Sequence, residues 1–399
     1  MYIFRNLILT LSLLTLLHST DESNNTKSTG FFNFDKRLFV SEEDGKFDLS
    51  AFLLTKYGYL PIPVVVTEPA IGYGGGLNVV FLHDSLASSA QRKSPPSISG
   101  AVGVGTENGT KVAAAYHVGF WEEDSIRTVS AIGGVDINID FYLRNLGVDM
   151  NFEGYAAYQE LLFRIGESDF FLGGNYLYVD IESKRNEGDL PILDPFFEHE
   201  FKMGALSAVA QYDTRDSIFT PSDGLFVKAT LRRFDESFGG DENFWRYGAK
   251  VFYFQPLFED VTLGLRFEGE AVYEYGNDRV PYVAYPSIVM RGIDAMRYQG
   301  EKMMLGEVQF RWEFIERWNM VFFGGSGKVY GNENRFEPGT GVVKENVSFL
   351  DAPAHAAGGV GFRYELARKF GLWAGVDFAT NEEKDFSFYI TVGSAWGAY

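Results

Sequence analysis

Residues 261–275 read VTLGLRFEGEAVYEY, so that Val261, Leu263, Leu265, Phe267, Ala271 and Tyr273 share one parity while Thr262, Arg266, Glu268, Glu270 and Glu274 share the other. Side chains alternate across a strand, so this segment has one apolar face and one charged face. Its length suits a tilted span of roughly 9–11 residues through a bilayer, with lipid on one side and water on the other. The pattern recurs. In 244–254, Trp245, Tyr247, Val251 and Tyr253 oppose Arg246 and Lys250. In 303–315, Val308, Phe310, Trp312 and Phe314 oppose Glu307, Gln309, Arg311 and Glu313. In 110–121, Val112, Ala114, Tyr116, Val118 and Phe120 oppose Lys111, Ala113, Ala115 and His117, which places His117 toward the lumen.

Read this way, the chain predicts sixteen strands, at 61–67, 71–83, 97–106, 110–121, 125–141, 149–165, 169–184, 201–213, 224–236, 244–257, 261–275, 303–315, 318–330, 355–367, 370–382 and 386–396. An even count is what a single-chain bacterial barrel requires, with short periplasmic turns alternating with longer extracellular loops. The links obey that rule, with short ones such as 316–317 and 368–369 on one side and long ones at 185–200, 276–302 and 331–354 on the other. Only 84–96 is a long link on the short side. The expected fold is all-β: a 16-stranded antiparallel transmembrane β-barrel over 61–399. Two segments precede it: a signal peptide at 1–20, with Arg5 ahead of the apolar run Leu7–Leu17, and a short periplasmic leader at 21–60 whose apolar anchors are Phe47, Leu49 and Phe52.

Composition agrees once the alternation is known. Hydrophobic residues make up 46% of the chain, and the mean hydropathy is only -0.10 because half of each strand faces water. Aromatics at 16% and 44 glycines suit interfacial girdles and curved strands. A net charge of -19 argues against nucleic acid as a partner. There is no cysteine, hence neither disulfide scaffold nor lipoprotein anchor.

The chemistry-bearing candidates thin out quickly. GGSGKV at 324–329 lacks the first glycine and the Ser/Thr of a phosphate loop and lies in a strand; GYGGG at 72–76 also lies in a strand. The histidines His83, His117, His199 and His355 show no metal-ligand spacing and no Ser or Asp pairing that sequence supports. Catalytic, cofactor and metal sites are therefore expected to be none. Asp213, Arg215 and Asp216, followed by Pro221 and Gly224, read as a self-satisfied periplasmic turn. The charges Lys228, Arg232, Arg246, Lys250, Arg266, Glu268 and Glu270 either line a pore or bond to a loop folded among them.

Several of these segments resemble the outer-membrane insertase superfamily of BamA and TamA. Met290-Arg291-Gly292-Ile293 resembles its Val-Arg-Gly-Phe/Tyr loop motif, YDTRDSIFTPSDG (212–224) its Arg-Asp turn, LGEVQFRWEF (305–314) the strand after the loop, and ITVGSAW (390–396) its final strand. The resemblance implies that loop 276–302 folds into the barrel with Arg291 against an acidic wall. Gly325 stands where the family's facing Asp belongs, leaving Glu307 first, then Glu313, Glu268 and Glu270, as partners. It also implies that Gly393 and Trp396 belong to a C-terminal assembly signal read by the barrel-assembly machinery. The implied location is the outer membrane of a Gram-negative cell, among its lipids, and the implied role is helping to insert or translocate protein or lipid, with periplasmic clients as partners. The family's client-capturing POTRA domains find no room before Pro61, so a passive channel or a structural surface barrel stays open as the alternative.

Overall fold

The computed structural model describes residues 36–55, 58–83, 97–143, 146–186, 194–218, 220–275, 280–337, 340–393 and 395–396. The expected signal peptide and the 84–96 link lie outside them. The described strands are β1 (Gly58–Val66), β2 (Gly74–Leu82), β3 (Ile98–Thr106), β4 (Lys111–Trp121), β5 (Ile126–Leu143) and β6 (Leu146–Arg164). Next come β7 (Phe170–Arg185), β8 (His199–Asp213), β9 (Gly224–Phe234), β10 (Phe244–Phe258), β11 (Val261–Glu274) and β12 (Lys302–Ile315). The last are β13 (Trp318–Glu337), β14 (Gly341–Val347), β15 (His355–Ala367), β16 (Leu372–Asn381) and β17 (Phe386–Val392).

Antiparallel registers join each strand to the next in chain order, except that β15 pairs with Trp318–Gly327 of β13 while β14 pairs only with Gly331–Glu337. β14 is thus a hairpin arm that the alternation did not predict, and sixteen strands form the wall. Every wall strand is laddered on both edges except two. β1 pairs with β2 and β17 with β16, and among the described residues no register joins β1 to β17, so the barrel is nearly closed with one seam. Among the described residues no helix is long and apolar enough to cross a membrane.

The faces follow the charges where charges exist. Arg246, Lys250, Arg266, Glu268 and Glu307 are buried, whereas Tyr247, Tyr253, Phe267, Tyr273, Phe310 and Trp312 are exposed. In β4 the expectation fails: Val112 and Ala114 are buried inside, and Ala113, Ala115 and Trp121 point out. The only full charge on this strand, Lys111, sits at its end on the outward face beside Asp136, and the rest of both faces is uncharged, so parity could not say which one faces lipid. His117 therefore lies on the outer face, where its Nδ1 is 2.9 Å from Ser99 Oγ, and the same hydroxyl is 2.8 Å from His83 Nε2. A Ser between two imidazoles was not foreseen; it sits beside the Trp121 ring, 5.7 Å from His117, as part of an aromatic belt.

The inward apolar face of β3–β8, including Val135, Ile139, Phe141, Met150 and Val179, forms the largest core cluster together with Val280, Tyr282, Ala284 and Tyr285 of the β11–β12 loop. Tyr282 is the hub. Its ring packs edge-on to Phe141 at 4.9 Å and to Phe201 at 5.3 Å, and its hydroxyl donates to Ser183 Oγ at 2.9 Å. A short helix, α2 (Asp194–Phe197), adds Phe196 and Phe197 around the same ring.

At the short-turn end, the leader forms a 3-10 turn (Lys36–Phe39), a bridge between Val40 and Phe47, and helix α1 (Ser50–Thr55). It docks on the β12–β13 and β15–β16 turns. Leu49 and Leu53 bury against Ala367, and the Leu49 N–H donates to Leu366 O at 2.6 Å. Arg317, fully buried between β12 and β13, donates to Asp44 at 2.5 Å, Asp48 at 2.8 Å and Phe47 O at 3.1 Å. Burial pushes the Asp44 carboxyl up, but the Lys46 backbone N–H and the Arg317 guanidinium outweigh it and hold it at about 2, below its ordinary 3.8.

Two outcomes follow from this packing. Phe141→Ala empties the site beside Tyr282 and lowers stability by about 3–5 kcal/mol, read by denaturant unfolding of the barrel in lipid vesicles. A carboxyl with a depressed folded value contributes above its unfolded value and stops contributing as pH falls through the folded one. A bimane dye on Val40→Cys therefore stays docked at neutral pH and shifts to red emission as pH drops from 3.8 toward about 2, and Asp44→Asn removes that contribution at every pH.

Candidate functional site

The loop between β11 and β12 turns sharply at Met290-Arg291-Gly292-Ile293. The Ile293 N–H donates to Met290 O at 3.0 Å, and Gly292 takes a φ of +93°, which a side chain would strain. Met290 and Ile293 are buried in an apolar cluster with Ile288, Met303, Leu305 and Val329. That packing fixes the backbone and aims Arg291 at the charged face of the wall.

Arg291 is buried, and its Nη1 donates to Asp377 Oδ2 of β16 at 2.8 Å. Its Nη2 donates to Gln309 Oε1 at 2.9 Å and lies 3.6 Å from Glu307 Oε1. Its guanidinium stacks 3.6 Å from the centre of the Phe323 ring. Asp377 also accepts from Arg363 Nη2 at 2.6 Å and from the Thr391 hydroxyl of β17 at 3.3 Å. The short, charge-assisted bond thus goes to Asp377, which the sequence reading missed. Of its four candidates only Glu307 comes near Arg291. Glu307 instead accepts from Arg266 at 2.5 Å, Glu268 also accepts from Arg266 at 3.1 Å, Glu270 accepts from Arg246 at 3.0 Å, and Glu313 accepts the Arg317 N–H at 3.1 Å.

The space around Gly325 explains why β13 carries no acid at this position. A Cβ there would lie 2.6 Å from both Met290 Sδ and Glu307 Cγ, so the loop occupies the volume that a facing Asp would need. The acid is supplied from two strands away.

The loop also reaches the strands beside the seam. The Gly292 N–H donates to the Tyr389 hydroxyl of β17 at 3.0 Å, and Arg297 pairs with Asp385 at 2.9 Å and with Glu383 in the β16–β17 turn. Across the seam, Glu68 of the β1–β2 turn sits beside Asp294 and the Ala295 backbone. Tyr73, at the head of β2, stacks on Phe388 of β17 at 5.5 Å.

The remaining predicted positions fall at the short-turn end. Asp213 accepts from Arg215 at 2.8 Å, as expected of a turn, and from Arg127 of β5 at 3.0 Å, which extends the network across strands. Asp216 accepts the Ser222 N–H at 2.9 Å, Gly224 opens β9, and Pro221 O accepts from Arg311 at 3.2 Å. The expected final strand is shorter than read: β17 stops at Val392, where Gly393 turns the chain with a φ of +73°. Trp396 is off the strand and buried against Phe252 and Phe254 of β10, with ring centres at 5.9 and 5.5 Å. Between β4–β7 and the charged faces of β9–β11 a cavity of about 300 Å³ remains.

Sixteen wall strands, an aromatic outer surface and a charged interior define a transmembrane β-barrel of the outer-membrane type. Residues 153–396 match the family model described as "Omp85 superfamily domain", and the chain belongs to that superfamily. BamA from Haemophilus ducreyi lacking POTRA domains 1–3 is similar at a TM-score of 0.56 and 10% identity, over 85% of this chain and 70% of that one. CdiB from Acinetobacter baumannii is similar at 0.54 and 11%, over 84% of this chain and 59% of its own. CdiB from Escherichia coli is similar at 0.54 and 11%, over 83% of this chain and 61% of its own. No curated protein matches the chain.

Removing the carboxylate that two buried guanidiniums share takes the short ion pair from both and leaves Arg291 only the carboxylate of Glu307 at 3.6 Å. Asp377→Ala accordingly lowers stability by about 3–5 kcal/mol, while Gln309→Ala, a single neutral acceptor, lowers it by about 1 kcal/mol. The temperature at which the unheated barrel loses its compact gel mobility reports both, and Arg291→Ala with Asp377→Ala together cost less than their sum.

Proposed function

We propose that this barrel assists the insertion or translocation of protein or lipid at the outer membrane, acting through the seam between β1 and β17, with loop 276–302 folded into the lumen as a fixed plug. The observation that carries this reading is the missing ladder at the seam. Exposed strand edges are templates for another chain, and in hydrocarbon they demand a partner. A client strand meets that demand while the rest of the wall stays paired.

Support also comes from what fills the interior. Arg291, Arg266 and Tyr282 tie the loop to β8, β11, β12 and β16, and Trp396 occupies space against β10. The charges of β10 and β11 are engaged with each other and with loop carbonyls, as in the 3.0 Å bonds from Arg246 to Ala284 O and from Arg266 to Val289 O. These bonds hold the loop against the charged faces of β10 and β11. Partners in this reading are outer-membrane lipids against the exposed aromatics, the barrel-assembly machinery during biogenesis, and periplasmic clients. The passive-channel reading has the cavity of about 300 Å³ in its favour.

Single-channel recording of the purified protein in planar bilayers separates the two. A plugged barrel with a seam gives small, fluctuating currents, and Arg291→Ala makes wide openings more frequent. A large, steady conductance in the unaltered protein overturns the insertion reading in favour of a channel.

A further inference from the structure

The leader docks on one side of the seam and continues into the strand on the other. Its anchors are the β12–β13 and β15–β16 turns, on the β17 side. Yet α1 ends at Thr55 and β1 begins at Gly58, on the opposite edge. Since β17 lies between β16 and the seam, the leader's anchors and the start of β1 lie on opposite sides of β17 at the short-turn end.

We infer that residues 36–55 are a staple that holds the β1/β17 seam shut from the short-turn end, with Arg317 as its anchor. The contact is built for a fixed position. Arg317 is fully buried and has two carboxylates and a carbonyl from the leader, Tyr364 donates to Phe47 O at 2.7 Å, and Lys369 N–H donates to Ser50 Oγ at 3.1 Å. Around it, Lys46 pairs with Glu316 at 3.0 Å and Arg368 with Glu316 at 3.2 Å. A segment that only spaced the barrel from something upstream would need none of these bonds. Because Asp44 and Asp48 both accept from Arg317, loss of that guanidinium removes two charge-assisted leader contacts together.

The staple deepens the seam reading, and its test reads seam width directly, whatever passes through. The chain has no cysteine, so nitroxides on Tyr59→Cys and Ile390→Cys report only the distance between β1 and β17 near the short-turn end. In the full chain reconstituted in lipid vesicles, Arg317→Met lengthens and broadens that distance distribution and opens the leader to trypsin after Lys46. If Arg317→Met does not assemble, Glu316→Lys, at a half-exposed site, turns two attractive contacts into repulsive ones and shifts the distribution the same way by less. A leader that becomes cleavable while the seam distance stays unchanged overturns the staple; so does a leader that stays protected in both variants. If the seam distance responds as expected while conductance is large and steady, the staple stands and the insertion reading falls.

Discussion

A sheet placed in hydrocarbon must give every backbone N–H and C=O a partner, because water is not there to supply one. Among the described residues, sixteen wall strands meet that demand at every strand pair but one. Much of what is unusual in the chain lies close to the exception. At the long-loop end, the Tyr73–Phe388 stack and the loop residues Arg297 and Asp294 face the turns on either side of it. At the other end, the leader runs below it, bound to Arg317. Side chains and short segments do at both ends what a backbone ladder does elsewhere, and such contacts open one at a time where a ladder opens all at once.

The interior is arranged to keep the loop in one place. Its first half is held by apolar packing around Tyr282, which is non-directional and tolerates small shifts. Its second half is held by Arg291 and Arg266, whose bonds to Asp377, Gln309, Glu307 and Val289 O allow only one geometry. Buried ion pairs contribute little net stability, but breaking one is expensive, so their effect here is to specify position. Asp377 gives that position a consequence for the wall: one carboxylate joins the loop to β15 through Arg363 and to β17 through Thr391. The loop and the seam strand therefore share an acceptor.

How far the chain could be read in advance depended on charge. Strands β10, β11 and β12 each carry most of their charges on the inward face and present aromatics on the outward one, with Phe244, Phe252 and Phe254 of β10 also buried inside, and their boundaries and sidedness agree with the structure. β4 carries small apolar residues on both faces, so its strand was legible but its sidedness was not. The hairpin arm β14 escaped because Gly341–Val347 alternates as weakly as a polar loop. Arg291 was legible from its motif, but its partner was not: Asp377 lies 86 positions along the chain, and pairing across strands follows from register alone. One signal was present. In LWAGVDFATN, Asp377 is the only charged residue of β16, and an unaccompanied acid in an apolar strand needs a buried cation to justify it.

The glycine at 325 and the acid at 377 are best understood together. A loop that brings Met290 against β13 removes the space for an acid there, and a loop Arg without an acid would be a buried, uncompensated charge. Moving the carboxylate to β16 solves both problems and brings it within reach of Thr391 on the last strand. An acid on β13 would have tied the loop to the middle of the C-terminal half of the wall. An acid on β16 ties it next to the edge, so any displacement of β17 is felt by the same carboxylate that holds Arg291. In this chain the position of the loop and the placement of the seam strand consequently depend on one aspartate.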